Sequence, residues 1–474
     1  MRDSKVYLVL QKLSNRERGK FLKYIQSPYF NKNKPLIQLF QIIHKDLASS
    51  ARKPYTKEQV WQKLQGKHTY DDVRFRKYLS DLLKHVENFI ALEVFEKKEF
   101  QKTNFLLEAI VDRKMENLYS TIKKNTGVIA KNSKIQNADY YLHSYQAYKL
   151  LHDIETDAQQ KKKISTNFTY LSKALDVFYF SEKLRLNYDA EIWKRIDGNL
   201  DADLDHIELI SSIVKKDTPL DAPPVSIYYA MFLLNKHPEN DQFYFEFKKQ
   251  LDNLIHFFPS HEAIPIYLAG INYCIRKVNT GENNYLEEVY SLYVGYVRSI
   301  VEDSGELSQW TFNNTITIGL RLGKNDWVPG FIEEYGPYIN EKHRENSVTY
   351  NTASYHFYQK NYEEVIQVLQ SIEYDDIYYS LNAKTMLLMT YYETDEYDPI
   401  SFLLESFRAY LNRNKNIPES KKILYKNLIR ITKKLVNLPP NAGTALAKIK
   451  QEVQDTKKIT SRKWLLEKIE ERYS

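Results

Sequence analysis

The chain is poor in cysteine, glycine and proline. Its single cysteine, Cys274, excludes an intramolecular disulfide and any zinc site built from several cysteines, and it makes a reducing cytoplasm the expected compartment. Thirteen glycines and fifteen prolines in 474 residues fall below ordinary usage (roughly 7% and 5%), which leaves few residues suited to tight hairpins and points to helices. No stretch approaches the ~20 apolar residues of a membrane span, and Val6–Leu10 is too short for the apolar region of a signal peptide. A glycine-rich phosphate loop, a G-x-S-x-G elbow and a kinase-type motif set are all missing.

What is present is a globular composition, 43% hydrophobic and 27% charged. Tyrosine is abundant, with 38 copies spread over the whole length. Its apolar ring and hydroxyl suit half-exposed seams between helices. The net charge of +7 is unevenly placed: residues 1–100 hold 21 Lys/Arg against 11 Asp/Glu, whereas residues 361–409 hold two basic residues, Lys384 and Arg408, against ten acidic ones. Any partner of that acidic stretch is expected to be basic.

Helix signals run through the chain. Ser14-Asn15-Arg16-Glu17 fits a capping box, followed by Phe21, Leu22 and Ile25 and ended by Ser27-Pro28. Leu36, Leu39, Phe40 and Ile43 mark a second helix, and Thr56-Lys57-Glu58-Gln59 opens a short one through Val60, Trp61 and Leu64 that Gly66 closes. Asp71 or Asp72 then caps a long helix with Val73, Leu79, Leu82, Leu83, Val86, Phe89, Ile90 and Leu92 at helical spacing. In the middle segment Phe168, Leu171, Leu175, Phe178 and Tyr179 predict an apolar stripe, and Lys215–Pro224 is the clearest break. The expected organisation is all-α: a basic helical domain over 1–98, a helical middle over 99–215, a solenoid of helix pairs over 225–410, and capping helices over 411–474, the last around Trp464, Leu465, Leu466 and Ile469.

The solenoid expectation comes from a repeat. Trp327, Tyr362 and Tyr397 are 35 residues apart, each after a short polar turn and before an amphipathic stretch, and Tyr285 precedes Trp327 by 42. Over 346–407 the pattern resembles tetratricopeptide repeats: Ala353, Tyr362, Leu369 and Ile372 match that family, while Val365 and Ile400 stand where it has alanine. The resemblance implies stacked helix pairs with a concave, peptide-binding face. It assigns Tyr362 to packing and places Tyr355, His356 and Tyr391 in the groove as partner-binding residues. Two phrases near the N-terminus, Leu13–Glu17 and Tyr70–Lys77, resemble an uncharacterised family of conserved bacterial proteins, which implies no activity.

Candidate sites for chemistry are thin. Asp201, Asp203 and Asp205 suggest a calcium loop, but His206 and Ser212 stand where that loop needs glycine and glutamate, so an acidic loop is the better reading. His261-Glu262 lacks the second histidine of a zinc helix, and His143 and His152 have no cysteine nearby. The stretch from Glu419 to Leu438 is a basic amphipathic helix, with Leu424, Leu428, Ile431 and Leu435 on one face and Lys422, Lys426, Arg430, Lys433 and Lys434 on another. Val60–Arg76 has the form of a helix-turn-helix with Arg74, Arg76 and Lys77 near the start of its second helix. A non-enzymatic cytoplasmic scaffold that binds a protein or peptide, without cofactor or metal, is therefore the leading expectation. A nucleic-acid-associated regulator using the two basic segments is the alternative.

Overall fold

The computed structural model describes residues 1–48, 55–66, 68–157, 168–198, 206–216, 222–370, 376–439 and 442–472. Twenty-three α-helices and no strand occur among them, so the all-α expectation holds. The chain forms two compact units, residues 1–183 with 214–224 and residues 184–213 with 225–474. The acidic loop 201–205 and Ile372 lie outside the described residues.

The first unit contains α1 (Lys5–Lys12), α2 (Asn15–Gln26), α3 (Lys34–Leu47), α4 (Lys57–Gln65), α5 (Asp72–Lys97), α6 (Glu99–Arg113), α7 (Tyr119–Asn132) and α8 (Ala138–Asp157). Both capping boxes form: the Ser14 and Thr56 hydroxyls accept from the backbone of Glu17 and Gln59, whose side chains return to the cap. A single capping interaction of this kind stabilises by about 1 kcal/mol. Phe21 meets Phe40 edge to face at 4.8 Å, and both are fully buried with Ile25, Ile43, Phe75 and Leu82. Each such side chain contributes roughly 1.5–3 kcal/mol.

Two expected faces turn differently. Phe75 is fully buried and Val73 is 80% exposed, because one helix face reaches the core and the larger side chain takes it. In α9 (Phe168–Ile196), Leu171 is buried as expected, but Phe168, Leu175 and Tyr179 are exposed, and Ala174, Val177 and Ser181 are buried instead.

α10 (Ile207–Lys216) and α11 (Pro223–Lys236) flank the break at 215–224. The second unit continues with α12 (Asp241–Leu254), α13 (Ser260–Asn279), α14 (Tyr285–Ser304), α15 (Gln309–Arg321), α16 (Trp327–Tyr335), α17 (Glu341–Tyr358), α18 (Tyr362–Gln370), α19 (Ile377–Glu393) and α20 (Tyr397–Arg413). It ends with α21 (Glu419–Val436), α22 (Gly443–Asp455) and α23 (Arg462–Glu471). From α12 onward each helix packs on the next, and α17 also packs on α15 and α19.

Tyr285, Trp327, Tyr362 and Tyr397 are the first residues of α14, α16, α18 and α20. Before each, the preceding helix ends in one hydrogen-bonded form. A residue with left-handed backbone, Gly281, Gly323, Lys360 or Asp395, is followed by an amide that reaches back five residues: Glu282 to Lys277, Lys324 to Gly319, Asn361 to His356, and Glu396 to Tyr391, at 2.9–3.0 Å. The aromatic follows the left-handed residue by four positions in the first two turns and by two in the last two. Tyr285 is 1% exposed, Trp327 and Tyr362 are half-buried, and Tyr397 is 51% exposed. Trp327 packs against Tyr290 of α14 and Phe331 of α16, over Gly319. The packing role expected of the turn aromatic thus weakens along the chain.

The last helix docks on the C-terminal core. Trp464, Leu465 and Ile469 are buried, and Leu466 is partly buried.

Candidate functional site

The backbone form of the repeat fixes where the expected groove residues fall. His356 and Tyr391 supply equivalent carbonyls, one repeat apart, to the helix-ending hydrogen bond. Tyr355 is partly buried against the core of α15 and α16, and His356 lies beside it at 5.4 Å between ring centres, half-buried. Tyr391 is 8% exposed within the C-terminal core and offers little surface to a partner. The three residues do not form one open face.

A different aromatic contact connects the first helices of alternate pairs, α15 and α19. The Trp310 ring of α15 meets Tyr378 of α19 edge to face at 4.3 Å, and Asn313 Nδ2 donates to the Tyr378 hydroxyl at 3.2 Å. Packed helices stand 8–10 Å apart. The contact reaches across α17, which packs on both α15 and α19. Trp310 is 44% exposed there, and Tyr378 is half-buried. No spacing rule singles out Trp310, because its partner is 68 positions away in sequence.

The basic helix α21 is largely committed to internal pairs. Lys422 is 7% exposed and donates to Glu419 at 2.8 Å; Arg430 and Lys434 both bind Glu452 of α22. Lys426 is half-buried and Lys433 exposed. At the other basic segment, α4, Gly66 with left-handed backbone and α5 reproduce the short helix, turn and long helix. Arg76 is paired with Asp72 at 2.5 Å, Arg74 leans over the Tyr78 ring at 5.8 Å, and Lys77 is exposed. The expected basic faces are reduced because carboxylates that are distant in sequence or on the same helix reach them.

In the first unit a cavity of about 470 Å³ opens between α7, α8 and the start of α9, lined among others by Gly127, Tyr140, Tyr148, His152 and Tyr170. Its polar groups are bonded internally: Tyr119 donates to Glu155 at 2.7 Å, Lys123 pairs with Glu155, Tyr140 donates to the Ala130 carbonyl at 3.1 Å, and Tyr170 and Ser144 are 2.5 Å apart. Burial raises the Tyr140 phenol above its ordinary value, as it does those of Tyr119 and Tyr141, the last to about 12.

In the second unit two concavities, of about 700 and 430 Å³, flank the α20–α21 connection and share Asn416. The larger is lined by Lys384, Ser406, Tyr410, Arg413, Asn414, Lys415 and Asn416. Lys384 Nζ stands 5.3 Å over the Tyr410 ring, and burial lowers its pKa. The Asn414 side chain accepts from the Asn416 amide at 3.0 Å, shaping the connection as an Asx turn.

A buried polar cluster lies between α12, α13 and α14. Tyr244 and Tyr273 stack at 5.0 Å and donate to Glu288 and Asp241, at 2.8 Å each. Cys274 lies buried beside them, and burial pushes its thiol up to about 12, which leaves it inert as a nucleophile. Among the described residues no cluster of three His, Cys, Asp or Glu side chains is placed to hold a metal, and no helix is long and apolar enough to cross a membrane.

No protein-family model, curated protein or solved structure matches this chain. The helices packed in adjacent pairs are compatible with a helical repeat.

Proposed function

We propose that this protein is a non-enzymatic cytoplasmic scaffold or adaptor whose tetratricopeptide-like helix pairs hold a protein or peptide partner. The observation that carries the reading is the contact of Trp310 and Asn313 with Tyr378 across α17. It joins two helices at a surface with a half-exposed tryptophan and tyrosine, the residue types enriched at binding hot spots. Glu363, Glu364, Asp395, Asp398 and Glu405 are exposed on α18, α20 and the preceding turn, which favours a partner with a basic segment.

Affinity purification on the native chain, followed by binding of the purified partner to native, Trp310→Ala and Tyr378→Ala proteins of equal helicity, tests this. Weakening by about 2 kcal/mol or more in both variants is the expected hot-spot response. Unchanged binding in both variants removes this surface from the proposal. A DNA or RNA gel shift at low salt, abolished as salt rises, would instead favour the nucleic-acid reading.

A further inference from the structure

The larger concavity beside α19 has an unusual charge balance. Residues 361–409 carry ten carboxylates and two cations, so a lysine there has abundant opportunity to pair. Lys384 nevertheless sits half-buried over Tyr410 with no carboxylate partner among the described residues, and Arg413 and Lys415 beside it are likewise unpaired there. The remaining lining groups, Ser406, Tyr410, Asn414 and Asn416, are neutral and capable of hydrogen bonding. A partly buried cation without a counter-charge is costly, and three around one hollow are mutually repulsive. An anion entering the hollow would relieve both effects.

We propose that this concavity binds the phosphoryl group of a small phosphorylated compound, with Lys384 as the inner cation, Arg413 and Lys415 at the rim, and the side-chain amide nitrogens of Asn414 and Asn416 completing the donor set. Charge matching selects phosphate over a single carboxylate. A phosphate monoester carries nearly two negative charges at neutral pH and has three acceptor oxygens, whereas one carboxylate leaves two cations uncompensated. The forked guanidinium of Arg413 suits two phosphoryl oxygens, and the Lys384 ammonium acts as a point charge beneath them. This site has the opposite polarity to the acidic exterior of α18 and α20.

Calorimetric titration of the full chain at low salt with glycerol 3-phosphate, pyrophosphate and acetate tests the assignment. The native protein is expected to bind the two phosphates saturably at one site, to ignore acetate at equal ionic strength, and to melt at higher temperature when phosphate is present. Lys384→Met and Arg413→Gln are each expected to weaken phosphate binding at least about tenfold. Arg413 is exposed, so its variant carries the test even if Lys384→Met folds poorly. Absence of saturable phosphate binding, equal binding of acetate, or native affinity in a folded Arg413→Gln protein would each overturn the proposal.

Discussion

Lys468 Nζ lies 2.8 Å from Glu393 Oε2, a bond that joins the last helix to α19 across 75 residues of sequence. Trp464 Nε1 donates to the other oxygen of the same carboxylate at 2.8 Å, and Glu471 gives Lys468 a second acceptor. Both side chains of the pair are mostly buried, at 9% and 15% exposure.

Lys468→Met should therefore strand Glu393 and cost about 3 kcal/mol, with faster hydrogen exchange in α23 than elsewhere in the second unit. The double variant Lys468→Met, Glu393→Gln should recover part of that loss. Burial opposes the Lys468 charge, but the bonds to Glu393 and Glu471 outweigh it and hold its pKa above the usual 10.5. The pair's contribution is thus complete below about pH 10 and disappears as pH rises through the raised value. A native-to-variant gap that persists unchanged at strongly alkaline pH would refute the linkage.

Asp46 offers the opposite sign. Its carboxylate, 1% exposed, accepts two hydrogen bonds from Arg2 and one from Tyr7 at 2.7 Å. The Arg2 bonds lead in lowering its pKa below 3.8, helped by Tyr7 and opposed by burial. Asp46→Asn should cost about 2 kcal/mol near neutrality. The gap should be complete above about pH 5 and close as pH falls through the depressed value. Exchange protection over α1 measured at pH 7 and pH 3 reads this directly; equal gaps at both would count against it.

Two glycines in helices should respond oppositely to alanine. A Cβ on Gly127 meets nothing within 4 Å, so Gly127→Ala should raise stability by about 0.5–1 kcal/mol through helix propensity. On Gly319 it would stand 2.9 Å from the Trp327 ring, and Gly319→Ala should lower stability by about 1–3 kcal/mol. Calorimetric melting separates the two; a shift of the same sign in both would contradict the packing described for Trp327.

At the repeat turns, Lys360 adopts φ 61° where the equivalent positions 281 and 323 hold glycine. Lys360→Gly should relieve about 1 kcal/mol of backbone strain, and Gly323→Ala should introduce a similar amount. Denaturant midpoints that fail to move in these opposite directions would show that the shared helix ending does not limit stability.

Much of this fold is legible in local chemistry. Ser14 and Thr56 with their partners three residues on announce helix starts, because capping is satisfied within one turn. The aromatic period marks four helix starts correctly, yet the left-handed residues are spaced 42, 37 and 35 apart, at 281, 323, 360 and 395. Aromatic spacing reports loop and helix length together, so an even period conceals two different turns.

The site was less legible. Lys422, Arg430 and Lys434 form a basic stripe on paper, and a helical wheel cannot show Glu419 and Glu452 neutralising it. Lys384 is inconspicuous in an acidic segment and becomes a candidate anion ligand only when Arg413 and Lys415 are folded beside it.

By itself the sequence determined the all-helical class and several helix starts, since propensity, capping and apolar periodicity act over a few residues. Only the tertiary structure decided that Val73 is exposed while Phe75 is buried, that Tyr391 belongs to a core, and that Trp310 reaches Tyr378. Those outcomes depend on which faces of distant helices compete for the same contact, and on where the chain brings those helices together. Neither quantity is written in any single helix.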